Sequence, residues 1–254
     1  MKLKKSTLFF YSLAEMPINI ALFPILVFIP KFYTGEMGVP LALAANIILA
    51  VRIFDVFTDP VVGYINDRTN TKWGRRRPWI AIATPLLMVS IYMLFIPPEG
   101  AGALHLFLWM FLLSIGTTML IIPYYAWGAE LSPDYNERSR ITGWRSISGV
   151  VGSLSAQLIP TIALVFFGLG GSTNVLYIVG IASVIIMPIC VFLTIIKVPE
   201  SKDYVQSNIS PIKGFKIMLE NSPFKRLIMA FMFGGIAFSI TIPLYLSLIH
   251  ISEP

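Results

Sequence analysis

Seven long apolar runs divide this chain, and several of them continue for 18 or more residues nearly without charge. A helix of about 20 apolar residues is what crosses the hydrocarbon core of a bilayer. Inside lipid each backbone N–H and C=O must be satisfied within its own segment, so such runs specify helices. The expected spans are Thr7–Pro30, Val39–Val62, Pro78–Ile96, Ala103–Trp127, Gly143–Phe167 and Val175–Ile196, with a seventh starting near Pro223. Only 13% of the residues are charged, where a soluble domain carries about 25%. The fold class expected is therefore an all-α polytopic membrane protein: a six-helix bundle over 1–197, a cytoplasmic loop over 198–222 and one further helix over 223–254.

The net charge of +6 raises nucleic acid as a partner, but the positions of the charges exclude it. Of the 19 Lys and Arg, 16 lie at the N-terminus, in the 63–77 turn, in the 128–142 turn or in the 197–226 segment. On the opposite face the loops hold only Lys31. This asymmetry places the N-terminus and the 197–222 segment in the cytoplasm. A bacterial-type cytoplasmic (inner) membrane is the expected location. The first apolar run is too long for a cleaved leader and is read as a retained span. Cys190, the one cysteine, reads as a small packing residue. No nucleotide loop, nucleophile–base pair or metal constellation is evident, so neither an enzyme nor a resident cofactor is expected.

The second span carries the anomaly. Arg52, Asp55 and Asp59 lie at i, i+3 and i+7, on one helix face, where insertion of each charge costs about 3 kcal/mol. The helix is expected to break at Pro60 and Gly63. Two carboxylates one turn apart repel unless a cation or a proton neutralises one of them. Thr58 and Thr118 offer hydroxyl oxygens suited to a hard cation such as Na⁺. The stripe thus reads either as a Na⁺ or H⁺ site, or as a salt-bridge cluster in which Arg52 and Arg145 neutralise both acids. Glu15, at a similar depth in span one, shares a face with Asn19; as an alternative, it reaches water by its own length. Tyr11, Tyr124 and Tyr125 are the aromatic cavity candidates. Prolines within the spans, Pro17 among them, predict bends.

After span two come Gly63, Asp67 and Arg68, then K-W-G-R-R-R over 72–77, containing Gly74, Arg75 and Arg76. This resembles the cytoplasmic turn of the major facilitator superfamily. Gly63 is expected to allow close helix approach, and the arginines to pair with acids such as Glu130 as a gating latch; the run also reads as a headgroup anchor. R-I-F-D-V-F-T-D-P-V-V-G-Y with K-W-G-R-R-R-P-W-I, I-P-Y-Y-A-W-G-A-E-L-S-P-D-Y-N-E-R and G-W-R are similar to the glycoside–pentoside–hexuronide:cation symporters. The likeness runs to about Arg226.

That resemblance implies cation-binding roles for Asp55, Asp59, Thr58 and Thr118. It implies cavity roles for Arg52 and Arg145, and puts Tyr125 where a sugar-stacking tryptophan is found. Two positions depart from the galactoside carriers. Asn19 and Ile121 stand where those have carboxylates, which are strong acceptors for sugar hydroxyls. Isoleucine can neither donate nor accept, so galactoside itself is not the expected cargo.

The sequence ends in L-S-L-I-H-I-S-E-P, which resembles a peptide found where reading frames are truncated. The expectation is a fragment of a chain about twice as long, whose missing C-terminal half completes the cargo site between two bundles. The expected activity is cation-coupled symport of a sugar or glycoside-like small solute. A lysolipid carrier is the alternative within transport; a membrane sensor or assembly subunit with a purely structural charge cluster is the alternative outside it.

Overall fold

A computed structural model describes residues 2–168, 171–200 and 211–252. The expected 198–222 loop therefore lies partly outside the described residues. The chain forms two compact units, Met1–Tyr204 and Val205–Pro254.

The first unit comprises α1 (Lys5–Ser12), α2 (Glu15–Gly35), α3 (Leu41–Arg68), α4 (Arg77–Phe95), α5 (Ala103–Glu130), α6 (Tyr135–Phe167) and α7 (Ser172–Lys197). With α1 and α2 counted as one segment, Lys5–Gly35, the described residues contain 6 helices long and apolar enough to cross a membrane. The all-α polytopic expectation holds. The helices make a chain of contacts in the order α3, α5, α4, α7, α2, α6. Trp127, Tyr11, Tyr33 and Tyr124 are the largest fully buried side chains. Helices α3 and α6 stand at the two ends of that series, and α3 is the least covered of all the spans.

Three boundaries differ from expectation, each for a local reason. Span one is interrupted at Leu13–Ala14. Pro17 has no N–H to give the Leu13 carbonyl and its ring crowds that oxygen. The Met16 N–H donates to Leu13 instead, at 3.3 Å, in a tighter three-residue step. Glu15 is left at the first position of α2. By contrast α3 does not break at Pro60 and Gly63; it continues to Arg68. Proline removes one backbone bond, which a membrane helix tolerates when its neighbours hold it. Here Arg76 pairs with Asp67 at 2.8 Å and with the buried Asn66, fixing the end of α3. Third, α6 starts at Tyr135, well before its apolar stretch, because the Asp134 side chain accepts the Glu137 N–H at 2.9 Å. Glu137, three residues into this cap, accepts the Leu3 N–H at 3.1 Å, so one acidic cap ties α6 to the N-terminus.

In the second unit α8 (Pro211–Glu220) falls inside the segment expected as loop, and α9 occupies Ser222–Ser252. Proline at its first position suits a helix start, and apolar residues at 212, 215, 218 and 219 give α8 helical spacing. Asn221 then starts α9, its side chain accepting the Phe224 N–H at 3.1 Å.

The α2–α6 crossing depends on small residues of α6. A β-carbon at Gly152 runs into the Met16 carbonyl oxygen, and one at Gly149 meets Asn19 Nδ2 at 3.2 Å. Close backbone approach through small residues is the main cohesive device between helices in lipid. Gly152→Val is expected to destabilise the bundle by about 2 kcal/mol, read as a lower Tm in detergent. Gly143→Ala, with nothing within 4 Å of the added carbon, is expected to be neutral or stabilising by up to about 1 kcal/mol. Equal effects of the two substitutions would contradict the packing described.

Candidate functional site

The acid-bearing span and α5 run side by side in register. Asp55 and Asp59 are four residues apart on α3, and Ser114 and Thr118 are four apart on α5, so that each acid meets one hydroxyl. The Ser114 hydroxyl donates to Asp55, and the Thr118 hydroxyl donates to Asp59 Oδ1 at 2.7 Å. Arg52 Nη1 lies 3.2 Å from Asp55 Oδ2. All five residues line a cavity of about 310 Å³ between α2, α3 and α5. Its other wall is apolar, with Leu22, Ile25, Met110 and Ile121.

Two carboxylates against one guanidinium leave this cluster a single negative charge. Among the described residues no Lys, Arg or His nitrogen lies within 4.0 Å of Asp59. The oxygens of two acids and two hydroxyls form a hard donor set that fits a monovalent cation, and either acid also fits a proton. Thr58 stays outside the set. Its hydroxyl donates to the Phe54 carbonyl of its own helix at 3.2 Å, and it is not part of the cavity wall. Ser114 went unread in the sequence. Its signal was the matched four-residue spacing, visible once α3 and α5 are paired.

Arg145 is not near the two acids. Its guanidinium carbon lies 3.8 Å from the centre of the Tyr125 ring, a cation–π contact. That ion-pair alternative is therefore not the arrangement observed. The Tyr125 hydroxyl donates to Glu15 Oε1 at 3.0 Å. The Asn19 amide donates to the Glu15 backbone carbonyl at 2.9 Å, a bond within α2. Behind them Tyr11 and Tyr124 stack at 4.7 Å, each hydroxyl donating to the other's carbonyl oxygen at 3.0 and 2.8 Å. Tyr125 and Arg145 also line a second cavity of about 240 Å³, with Tyr11, Arg138 and Thr142.

The basic turn is an ion-pair cluster. Arg75 and Arg76 reach Glu130 Oε1 at 2.5 and 2.6 Å, joining the end of α3 to the foot of α5. Burial works against the charge of Arg76, but the carboxylates of Glu130 and Asp67 more than offset it, so its pKa is raised. Glu200 was not singled out in the sequence, yet it fastens the same turn. Its Oε1 accepts the backbone N–H of Arg75 and of Arg76 at 2.6 and 2.7 Å, Arg77 donates to the Val198 carbonyl at 2.8 Å, and Trp127 Nε1 donates to the Pro199 carbonyl at 3.0 Å. Gly74 has φ +116 and no room for a side chain, because its β-carbon would strike the Glu200 carboxylate. Gly63 and Arg68 take no part. A β-carbon at Gly63 would sit 3.8 Å from Ile122, an ordinary contact that does not demand glycine. Arg68 lies over the Tyr64 ring of its own helix at 4.1 Å.

Residues 10–249 match a family model described as MFS/sugar transport protein. The chain is 30% identical over 228 residues to an isoprimeverose transporter of Lactiplantibacillus pentosus, covering 85% of this chain and 46% of that one. It is 27% identical to a putative glycoside/cation symporter of Escherichia coli, over 76% of this chain and 43% of the relative. It is also 27% identical to the sodium-dependent lysophosphatidylcholine symporter 1 of Mus musculus, over 83% and 47%. The chain thus spans about half the length of the curated relatives it matches. With six membrane-length helices and a match of nearly full length, it belongs to the MFS/sugar transport family of the major facilitator superfamily, a family of multi-pass membrane transporters and not of enzymes.

Proposed function

We propose that this chain is the N-terminal half of a cation-coupled symporter, in which Asp55 and Asp59, with Ser114 and Thr118, bind the coupling Na⁺ or H⁺. The observation that carries this reading is Asp59, a membrane carboxylate with one hydroxyl donor and no cationic partner within 4.0 Å among the described residues. A structural ion-pair cluster neutralises its acids with bases; this one stands one positive charge short. Names of relatives such as glycoside/cation symporter agree with that assignment.

In this mechanism cation binding removes the residual charge of the stripe and lowers the barrier to closing the cavity around it. A potential of about 100 mV contributes about 2.3 kcal/mol per cation moved inward. The cargo is a sugar or glycoside-like solute, held between this bundle and a C-terminal one. Its polar groups meet Arg145, Tyr125, Glu15 and Asn19, with Arg52 at the cation end. The charge asymmetry of the loops supports a cytoplasmic N-terminus in a bacterial-type inner membrane. The apolar wall of the first cavity, with Ile121 in it, favours a second cargo reading, an amphipathic lipid with one polar end. The turn over 72–77 acts as a latch on one gating state, held by Glu130 and Glu200.

Asp59→Asn is expected to abolish ion-stimulated uptake in the full-length carrier. Thr118→Ala, which removes one hydroxyl ligand, is expected to weaken cation affinity about tenfold, or about 1.4 kcal/mol. The direct readout is the rise in Tm with Na⁺ at constant pH. The rise should vanish in Asp55→Ala; an unchanged shift in that variant would refute the site. For the latch, Glu200→Ala frees two backbone amides, and hydrogen exchange of the 72–77 segment should quicken at least tenfold, corresponding to about 1.4 kcal/mol. Unaltered exchange there would show that the clasp does not hold the turn.

A further inference from the structure

The acid pair on α3 is not the only carboxyl group enclosed by this bundle. Glu15 is 9% exposed and sits at the interruption between α1 and α2, against α5 and α6. Its Oε1 accepts one hydrogen bond, from Tyr125, while Oε2 is buried with no partner. The charged and titratable groups facing it are Tyr11 from α1, Tyr124 and Tyr125 from α5 and Arg145 from α6. Three of these four are neutral phenols. The fourth, Arg145, is held over the Tyr125 ring, and among the described residues no basic nitrogen comes within 4.0 Å of the Glu15 carboxyl. An ionised carboxylate withdrawn from water requires a paired cation or several donors, and this position provides one hydroxyl.

We propose that Glu15 holds a proton in this conformation and is a second, proton-linked site, separate from the cation site at Asp55 and Asp59. The proton resides on Oε2, the oxygen without a donor. On deprotonation the carboxyl becomes a carboxylate and the proton passes to water in the second cavity, whose wall includes the Tyr125 ring and Arg145. Arg145 then leaves the ring and pairs with Glu15, so one guanidinium serves two states: an aromatic contact when Glu15 is neutral and an ion pair when it is charged. Thr118 and Tyr125 are seven residues apart on α5, about 10 Å along the helix, which keeps the two sites chemically distinct.

The test is infrared spectroscopy of the chain in lipid nanodiscs, reading the carbonyl stretch of protonated carboxyl groups, which an ionised carboxylate lacks. At neutral pH the band should be present, be lost in Glu15→Gln, and persist in the Asp55→Asn, Asp59→Asn double variant. On alkaline titration it should disappear. Tyr125→Phe, which leaves the carboxyl in place, should shift the band to higher frequency by removing its hydrogen bond. A neutral-pH spectrum with no such band, or one unaltered by both Glu15→Gln and Tyr125→Phe, would overturn the proposal. The Na⁺-dependent Tm reads the acid pair alone. Its absence in a chain whose Glu15 band is intact would refute Na⁺ binding at the acid pair and leave this site standing.

Discussion

Two hydroxyl-to-carboxylate bonds between α3 and α5 fix the geometry on which the rest of this bundle depends. A carboxylate in an apolar helix is costly wherever it points, and α3 is the least covered span of the unit. Ser114 and Thr118 turn that liability into a register. Because both pairs are offset by 59 residues, the two parallel helices cannot slide by a turn without stranding one of the acids. The hydroxyls satisfy lone pairs but leave the residual charge in place. The cluster is thus held together by its hydroxyls while standing short of one positive charge.

The end that carries the 63–77 turn solves the opposite problem, with an excess of basic groups. Three consecutive arginines repel one another, and the chain supplies acids from three separate elements to hold them: Asp67 at the end of α3, Glu130 at the foot of α5 and Glu200 beyond α7. Glu200 also engages backbone amides, which binds the conformation of the turn and not only its charge. Gly74 is required there twice over, for its positive φ and for the space taken by the carboxylate. The segment leaving the bundle is thereby tied to the turn between α3 and α4, so a movement of either is felt by the other.

Hydropathy alone made the spans legible, since lipid imposes one solution on an apolar run. The positions of Asp55, Asp59 and Thr118 were legible as well, through helical spacing and family likeness. What failed was where a second force outweighed hydropathy. The end of α3 persists past Pro60 because Arg76 holds it from outside. The start of α6 lies in the polar D-Y-N-E sequence, whose capping signal is local and was readable. Thr58 is about 100° round the helix from Asp59, which is why its hydroxyl turns back to its own backbone. The Arg145–Tyr125 contact, Ser114 and Glu200 depend on which helices become neighbours, and periodicity carries no such information.

One stripe of α5 links these features. Ser114, Thr118 and Tyr125 lie at i, i+4 and i+11, close to a single face, with Ile121 and Ile122 between the polar ends. The isoleucines present only hydrocarbon to the first cavity, so no hydrogen-bond relay along α5 joins the acid pair to the Glu15 cluster. Any influence of one end on the other acts through the rigid helix or through the field across an apolar gap. A carboxylate at position 121 would bridge the gap and merge the ends into one polar site. Isoleucine keeps them apart, so the acid pair and Glu15 each keep their own polar partners.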